Sequence, residues 1–124
     1  ETSRDVIRHL QRIISDDRVR ISTLGIIKEP TPVSPLNSYG FGTIHKTIKQ
    51  VFPDVVLSPM VMIGATDSRY YTGVSENIYR FAPLLYYPED LARIHGLNER
   101  LSIENFTNAI GFFYQLIKNT DDKL

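Results

Sequence analysis

The sequence predicts an α/β protein, on three observations. Helical and strand periods follow one another along the chain. Short runs rich in Val, Ile, Leu and Met are bounded by turn residues. A polar turn, Gly64 to Tyr71, closes one such run at its C-terminal end. The 124 residues make one ordinary domain in size. A hydrophobic fraction of 42% and a charged fraction of 23% exclude disordered and fibrous classes.

Each element has its own local cause. Over residues 5–14, Val6, Leu10, Ile13 and Ile14 share a helical stripe, with Arg8, Gln11 and Arg12 opposite. Thr2 or Ser3 supplies a hydroxyl to cap the first free backbone N–H groups, and Asp16-Asp17 ends the helix. Arg18 to Leu24 alternates polar and apolar, the pattern of a half-buried strand. Pro30, Pro32 and Pro35 then impose a stiff extended connection, the best place for a domain boundary. Residues 38–52 return to helix, with Phe41, Ile44, Ile48 and Val51 on one face and Pro53 as the stop. Residues 55–63 and 77–85 read as strands flanking the polar turn. Pro83 and Pro88 bracket a loop that runs to Asn98. The last element is a helix over residues 103–118, capped by Ser102, with Ile103, Phe106, Ile110, Phe113 and Ile117 as its stripe. The first 29 residues are too few to bury a core and read as the tail of a domain. The chain starts at Glu1 rather than methionine, so a piece of a longer protein is expected.

Composition excludes several functions. Fourteen basic and fourteen acidic residues cancel, which disfavours nucleic acid and anionic membrane as partners. The longest apolar stretch, Val55 to Ala65, is broken by Ser58 and Pro59 and falls short of the roughly 20 residues of a membrane span. No signal peptide is visible. There is no cysteine, hence no thiolate nucleophile or cysteine-bound metal, and the compartment stays open. Gly40-Phe41-Gly42 is too short for a phosphate loop, and no serine sits in a nucleophile elbow.

Two clusters can carry chemistry. Thr66-Asp67-Ser68-Arg69 follows an apolar run, and a guanidinium there suits bidentate binding of a carboxylate or phosphate. The same residues are equally readable as an Asp67–Arg69 ion pair that only braces the turn. His9 and His45 sit on amphipathic helices and read as solvated or boundary residues. His95 lies in a loop beside Gly96, where close approach is possible. Its spacing leaves a structural role and a ligand or acid–base role both open.

The motifs at these clusters resemble a known family. Gly64-Ala65-Thr66-Asp67-Ser68-Arg69 is similar to the Gly-Gly-Thr-Asp-[Ser/Ala]-Arg segment of the dizinc amidohydrolases and peptidases, which include aminoacylase and carboxypeptidase S. Ile94-His95-Gly96-Leu97-Asn98-Glu99 resembles the family's late His-Gly-x-Asn-Glu motif. Asn77 to Pro83, Pro32 to Pro35 and Val51 to Pro53 resemble the carboxypeptidase S and N-acyl-amino-acid hydrolase branch. Ala65 departs from the usual glycine but removes no functional group.

The resemblance implies the C-terminal part of a two-domain zinc hydrolase that cuts an amide next to a free carboxylate in a peptide or N-acyl amino acid. Residues 1–29 would be the last helix and strand of an α+β lid that forms homodimers. Residues 30–124 would belong to the catalytic domain. His95 would be a zinc ligand and Arg69 the substrate-carboxylate group, with Thr66, Asp67, Asn98 and Glu99 in support. The parent would hold two zinc ions per subunit. The remaining ligands and the general base are expected upstream, so the chain alone should hold no dizinc centre and turn over no substrate. The alternative is a non-catalytic carboxylate-binding or self-associating module.

Overall fold

The computed structural model describes residues 1–121, and these form two compact units, Glu1–Val33 and Ser34 onward. In the first unit, α1 spans Ser3–Ile14. Its start is a reciprocal cap. Thr2 Oγ1 accepts from the Asp5 N–H at 3.3 Å, and the Asp5 carboxylate accepts from the Thr2 N–H at 2.9 Å. Ser15 ends the helix in the left-handed region (φ 48°), and Asp16 grips the Arg18 guanidinium through two bonds at 2.9 and 2.7 Å. Glu29 then returns to the helix start and accepts from both the N–H and the hydroxyl of Ser3. The stripe residues Val6, Leu10, Ile13 and Ile14 are exposed.

In the second unit, α2 spans Tyr39–Val51, α3 Pro88–Leu91 and α4 Ile103–Asp121. Ser38 caps α2 by accepting from the Phe41 N–H at 3.1 Å. The core forms where α2 meets α4. Ile48 and Phe112 are each 1% exposed, and Phe112 lies 5.1 Å from Phe81 and 6.4 Å from Phe52 between ring centroids. Beside this apolar centre, Asn119 Nδ2 donates to Thr47 Oγ1 at 2.8 Å and to Gln50 Oε1 at 2.7 Å. Thr47 and Thr43 donate their own hydroxyls to carbonyls one turn back, so the buried polar groups are satisfied.

The structure corrects three expectations. No strand is present among the described residues, so the α/β reading gives way to helices joined by extended segments. A strand exists only through a ladder with a neighbour. Residues 55–57 and 82–85 instead line one apolar groove of about 190 Å³, together with Ile48, Phe52 and Phe81. Side chains take the place of a ladder. Ser34 Oγ accepts from the Ile78 N–H at 2.8 Å and donates to its carbonyl at 3.0 Å; Asn105 does the same for Leu85 at 2.9 and 2.8 Å.

Second, the expected stripe of α4 is not its buried face. Ile103 and Ile117 are 86% and 67% exposed, and Phe112 and Asn119, seven residues apart, face α2 instead. This helix is apolar on more than one side, so periodicity alone could not say which side α2 would cover. Third, Pro88 begins a short helix rather than closing a loop, since its fixed φ suits a first helical position.

Two outcomes test these contacts. Phe112→Ala should cost about 3–5 kcal/mol in chemical denaturation, as a large aromatic leaving a full core does. Phe106→Ala, at an exposed position of the same helix, should change stability little. The second outcome concerns acid. Asp5 is held below the usual carboxylate range by its bonds from Thr2, and Glu29 by its bonds from Ser3. Their contribution is therefore complete above the ordinary carboxylate pKa and is lost as pH falls through the lowered values. Far-UV circular dichroism should show α1 losing helicity below about pH 4. Replacing both residues, Asp5→Asn with Glu29→Gln, should flatten that loss.

Candidate functional site

The polar turn folds as a one-and-a-half-turn 3₁₀ helix, Asp67–Tyr71. Thr66 starts it in extended conformation, and its hydroxyl accepts from the Ser68 N–H at 3.3 Å. Thr66 and Ser68 hydroxyls are 2.5 Å apart. Arg80 Nε, arriving from the extended segment, donates to Ser68 Oγ at 2.7 Å and to Thr66 Oγ1 at 3.2 Å.

Arg69 is half-buried, and its side chain has no hydrogen-bond or ion-pair partner among the described residues. Asp67 is exposed and makes no ion pair there either, so the bracing Asp67–Arg69 pair is not formed. A half-buried guanidinium without an internal partner keeps its N–H fork available to an anion.

His95 lies in the turn that follows α3. Asp90 and Arg93 anchor that turn through an ion pair at 2.6 Å, and the Gly96 N–H donates to the Arg93 carbonyl at 2.9 Å. A Cβ on Gly96 would meet the Ala92 carbonyl oxygen at 3.3 Å, so glycine suits the tight approach. His95 and Asn98 hold left-handed backbone (φ 59° and 60°) and are exposed, as is Glu99. Asparagine tolerates this region through its short polar side chain; histidine bears a larger steric cost.

The structure thus joins Thr66 to Ser68 and Arg80. It makes no hydrogen bond or ion pair between that turn and His95, Asn98 or Glu99 among the described residues. Arg80 and Ser68 were not singled out as site residues from the sequence. Their one signal was membership of the two motifs that carry the resemblance. The metal expectation meets the chemistry of the donor set here. No group of three or more His, Cys, Asp or Glu side chains able to hold a metal ion occurs among the described residues. Zinc takes about four ligands, so these residues by themselves do not fit a zinc centre.

No family model matches the chain, and no solved structure matches it. Curated relatives do. The chain is 47% identical over all of its 124 residues to "Probable carboxypeptidase S-like 2" of Dictyostelium discoideum. It is 37% identical, over 98% of its length, to the N-fatty-acyl-amino acid synthase/hydrolase proteins of Danio rerio and Homo sapiens. It spans about a quarter (24%) of the length of each. The class these relatives define is a hydrolase family. Within it, the chain belongs with the carboxypeptidase S-like and N-fatty-acyl-amino acid synthase/hydrolase proteins, as the motifs at Arg69 and His95 led one to expect.

The backbone at His95 supplies a test. Removing the side chain down to glycine frees the left-handed backbone, whereas alanine keeps the steric cost. His95→Gly should therefore be more stable than His95→Ala by about 1 kcal/mol, the usual penalty for a Cβ in that region. Equal thermal denaturation of the two variants would show that the turn relaxes out of the left-handed region.

Proposed function

We propose that the chain is the substrate-carboxylate-holding part of a hydrolase that cleaves an amide beside a free carboxylate, in a peptide or an N-acyl amino acid. The observation that carries this reading is Arg69: a half-buried guanidinium without an internal partner among the described residues, in the turn whose sequence resembles the family's Gly-Gly-Thr-Asp-[Ser/Ala]-Arg segment. The names of the relatives support the substrate class. Arg69 would grip the terminal carboxylate through two parallel N–H donors and so set which amide lies at the reacting position.

On the same reading, residues 1–29 are the end of a lid domain that forms homodimers, and residues 30–124 return to the catalytic domain. His95 is one donor toward the two zinc ions of the full-length protein. A complete site needs further donors from outside the described residues, so the chain alone is inactive. The chain's own contribution is to bind the carboxylate and orient the substrate.

The full-length protein provides the experiment. Arg69→Ala should lower kcat/KM by roughly tenfold to a few hundredfold, the loss of one or two charged hydrogen bonds. Arg69→Lys should recover little, because the charge stays while the fork is lost. On substrates whose carboxylate is amidated the loss should nearly vanish. An equal loss on acid and amide substrates would remove Arg69 from the substrate. Metal analysis should find less than the full two zinc ions per subunit in His95→Ala; two tightly bound ions would sink that assignment.

A further inference from the structure

The turn that carries Arg69 is closed by local bonds, among them the Thr66–Ser68 hydroxyl contact at 2.5 Å and the Thr72 hydroxyl donating to the Arg69 carbonyl at 3.0 Å, while the backbone bonds at its two ends are long. The Arg69 N–H reaches the Thr66 carbonyl at 3.3 Å, and the Thr72 N–H reaches the Arg69 carbonyl at 3.5 Å, both at the long end of the range. The bonds from the Val74 and Ser75 N–H groups to the Tyr71 carbonyl, at 3.0 and 2.9 Å, are local too. Among the described residues, the hydrogen bonds from Arg80 are the ones that tie residues 64–75 to a distant part of the chain.

Arg80 is well placed for that. Ser34 holds Ile78, two residues before it, and Asn105 of α4 holds Leu85, five residues after it. Phe81, its neighbour, touches the core residue Phe112. One side of Arg80 is thus anchored to the α2–α4 core, and its Nε reaches the two hydroxyls that open the 3₁₀ helix. Arg80 donates to hydroxyls here, so its bonds to Thr66 and Ser68 fix the turn through hydrogen bonding.

We propose that Arg80 is a positioning residue: its Nε bonds to Ser68 and Thr66 hold the 3₁₀ turn in the conformation that presents Arg69 to a carboxylate. This rests on the carboxylate-binding reading of Arg69. It assigns Arg80 a hold on the turn rather than a contact with substrate.

The two roles separate by NMR on the full 124-residue chain, with N-acetylphenylalanine as the acid probe and N-acetylphenylalanine amide as its control. Arg80→Ala should lower the backbone order parameters of residues 66–71 from about 0.85 to below about 0.6, with α2 and α4 unchanged. It should weaken acid binding about tenfold, the factor for one charged hydrogen bond. Arg69→Ala should abolish acid binding and leave the order parameters as they were. Ser68→Ala removes the nearer acceptor without touching the Thr66 cap. It should shift both readouts the same way by less, and add nothing once Arg80 is alanine. That variant also carries the test if Arg80→Ala unfolds the chain.

An ordered turn in Arg80→Ala and Ser68→Ala would overturn the proposal. So would loss of acid binding with the turn still ordered, which would make Arg80 a ligand. Wild-type chain that binds acid no better than amide would sink the reading of Arg69 instead, while the order parameters still decide whether Arg80 holds the turn.

Discussion

The second unit depends on one interface, the packing of α4 on α2, with Phe112 of α4 and Ile48 of α2 both fully buried. Few of the described residues are fully out of water, and these two are the apolar pair among them. A core this small leaves little surplus over conformational entropy. Its polar neighbours therefore matter. Asn119 reaches Thr47 and Gln50 across the same interface, and a buried amide of this kind tolerates only one register of the two helices. Apolar contact supplies the attraction, and the amide supplies the alignment.

The extended segment 78–85 is held to that centre without a sheet. Phe81 leans on Phe112, and Ser34 and Asn105 each satisfy the backbone of one residue as a neighbouring strand would. A side chain that both donates and accepts can imitate one rung of a ladder, but not a row of them. The other run, 55–63, gets less support, and Ile63 is 99% exposed. Exposed, extended and apolar backbone of this kind is open to pairing.

The chemistry is divided between two turns that the structure builds differently. The Arg69 turn is held by hydroxyls and a guanidinium, while the His95 turn uses a glycine, an ion pair and left-handed backbone. Both lie on loops, the His95 turn closed locally and the Arg69 turn reached by Arg80 from further along the chain. This fits the general pattern in which binding groups sit on connections carried by a more rigid frame. Among the described residues, an imidazole outside any three-donor metal cluster and a guanidinium without an internal carboxylate are both unfinished pieces of chemistry.

Local signals decided much of this protein. The caps at Thr2 and Ser38, the stop at Pro53 and the break at Asp16 follow from hydroxyl and proline chemistry acting within one turn. The motifs around Arg69 and His95 were legible as residue types at fixed spacing that resemble the family's, and they led to it. Tertiary structure decided the rest. Residues 18–24, 55–63 and 77–85 have strand-like composition, but a strand needs a partner's N–H and C=O groups, which composition cannot supply. The buried face of α4 depended on where α2 lies, because that helix is apolar on more than one side. Arg80 joined the Arg69 turn only when the chain brought positions 12 and 14 residues apart into contact, a proximity that no local pattern encodes.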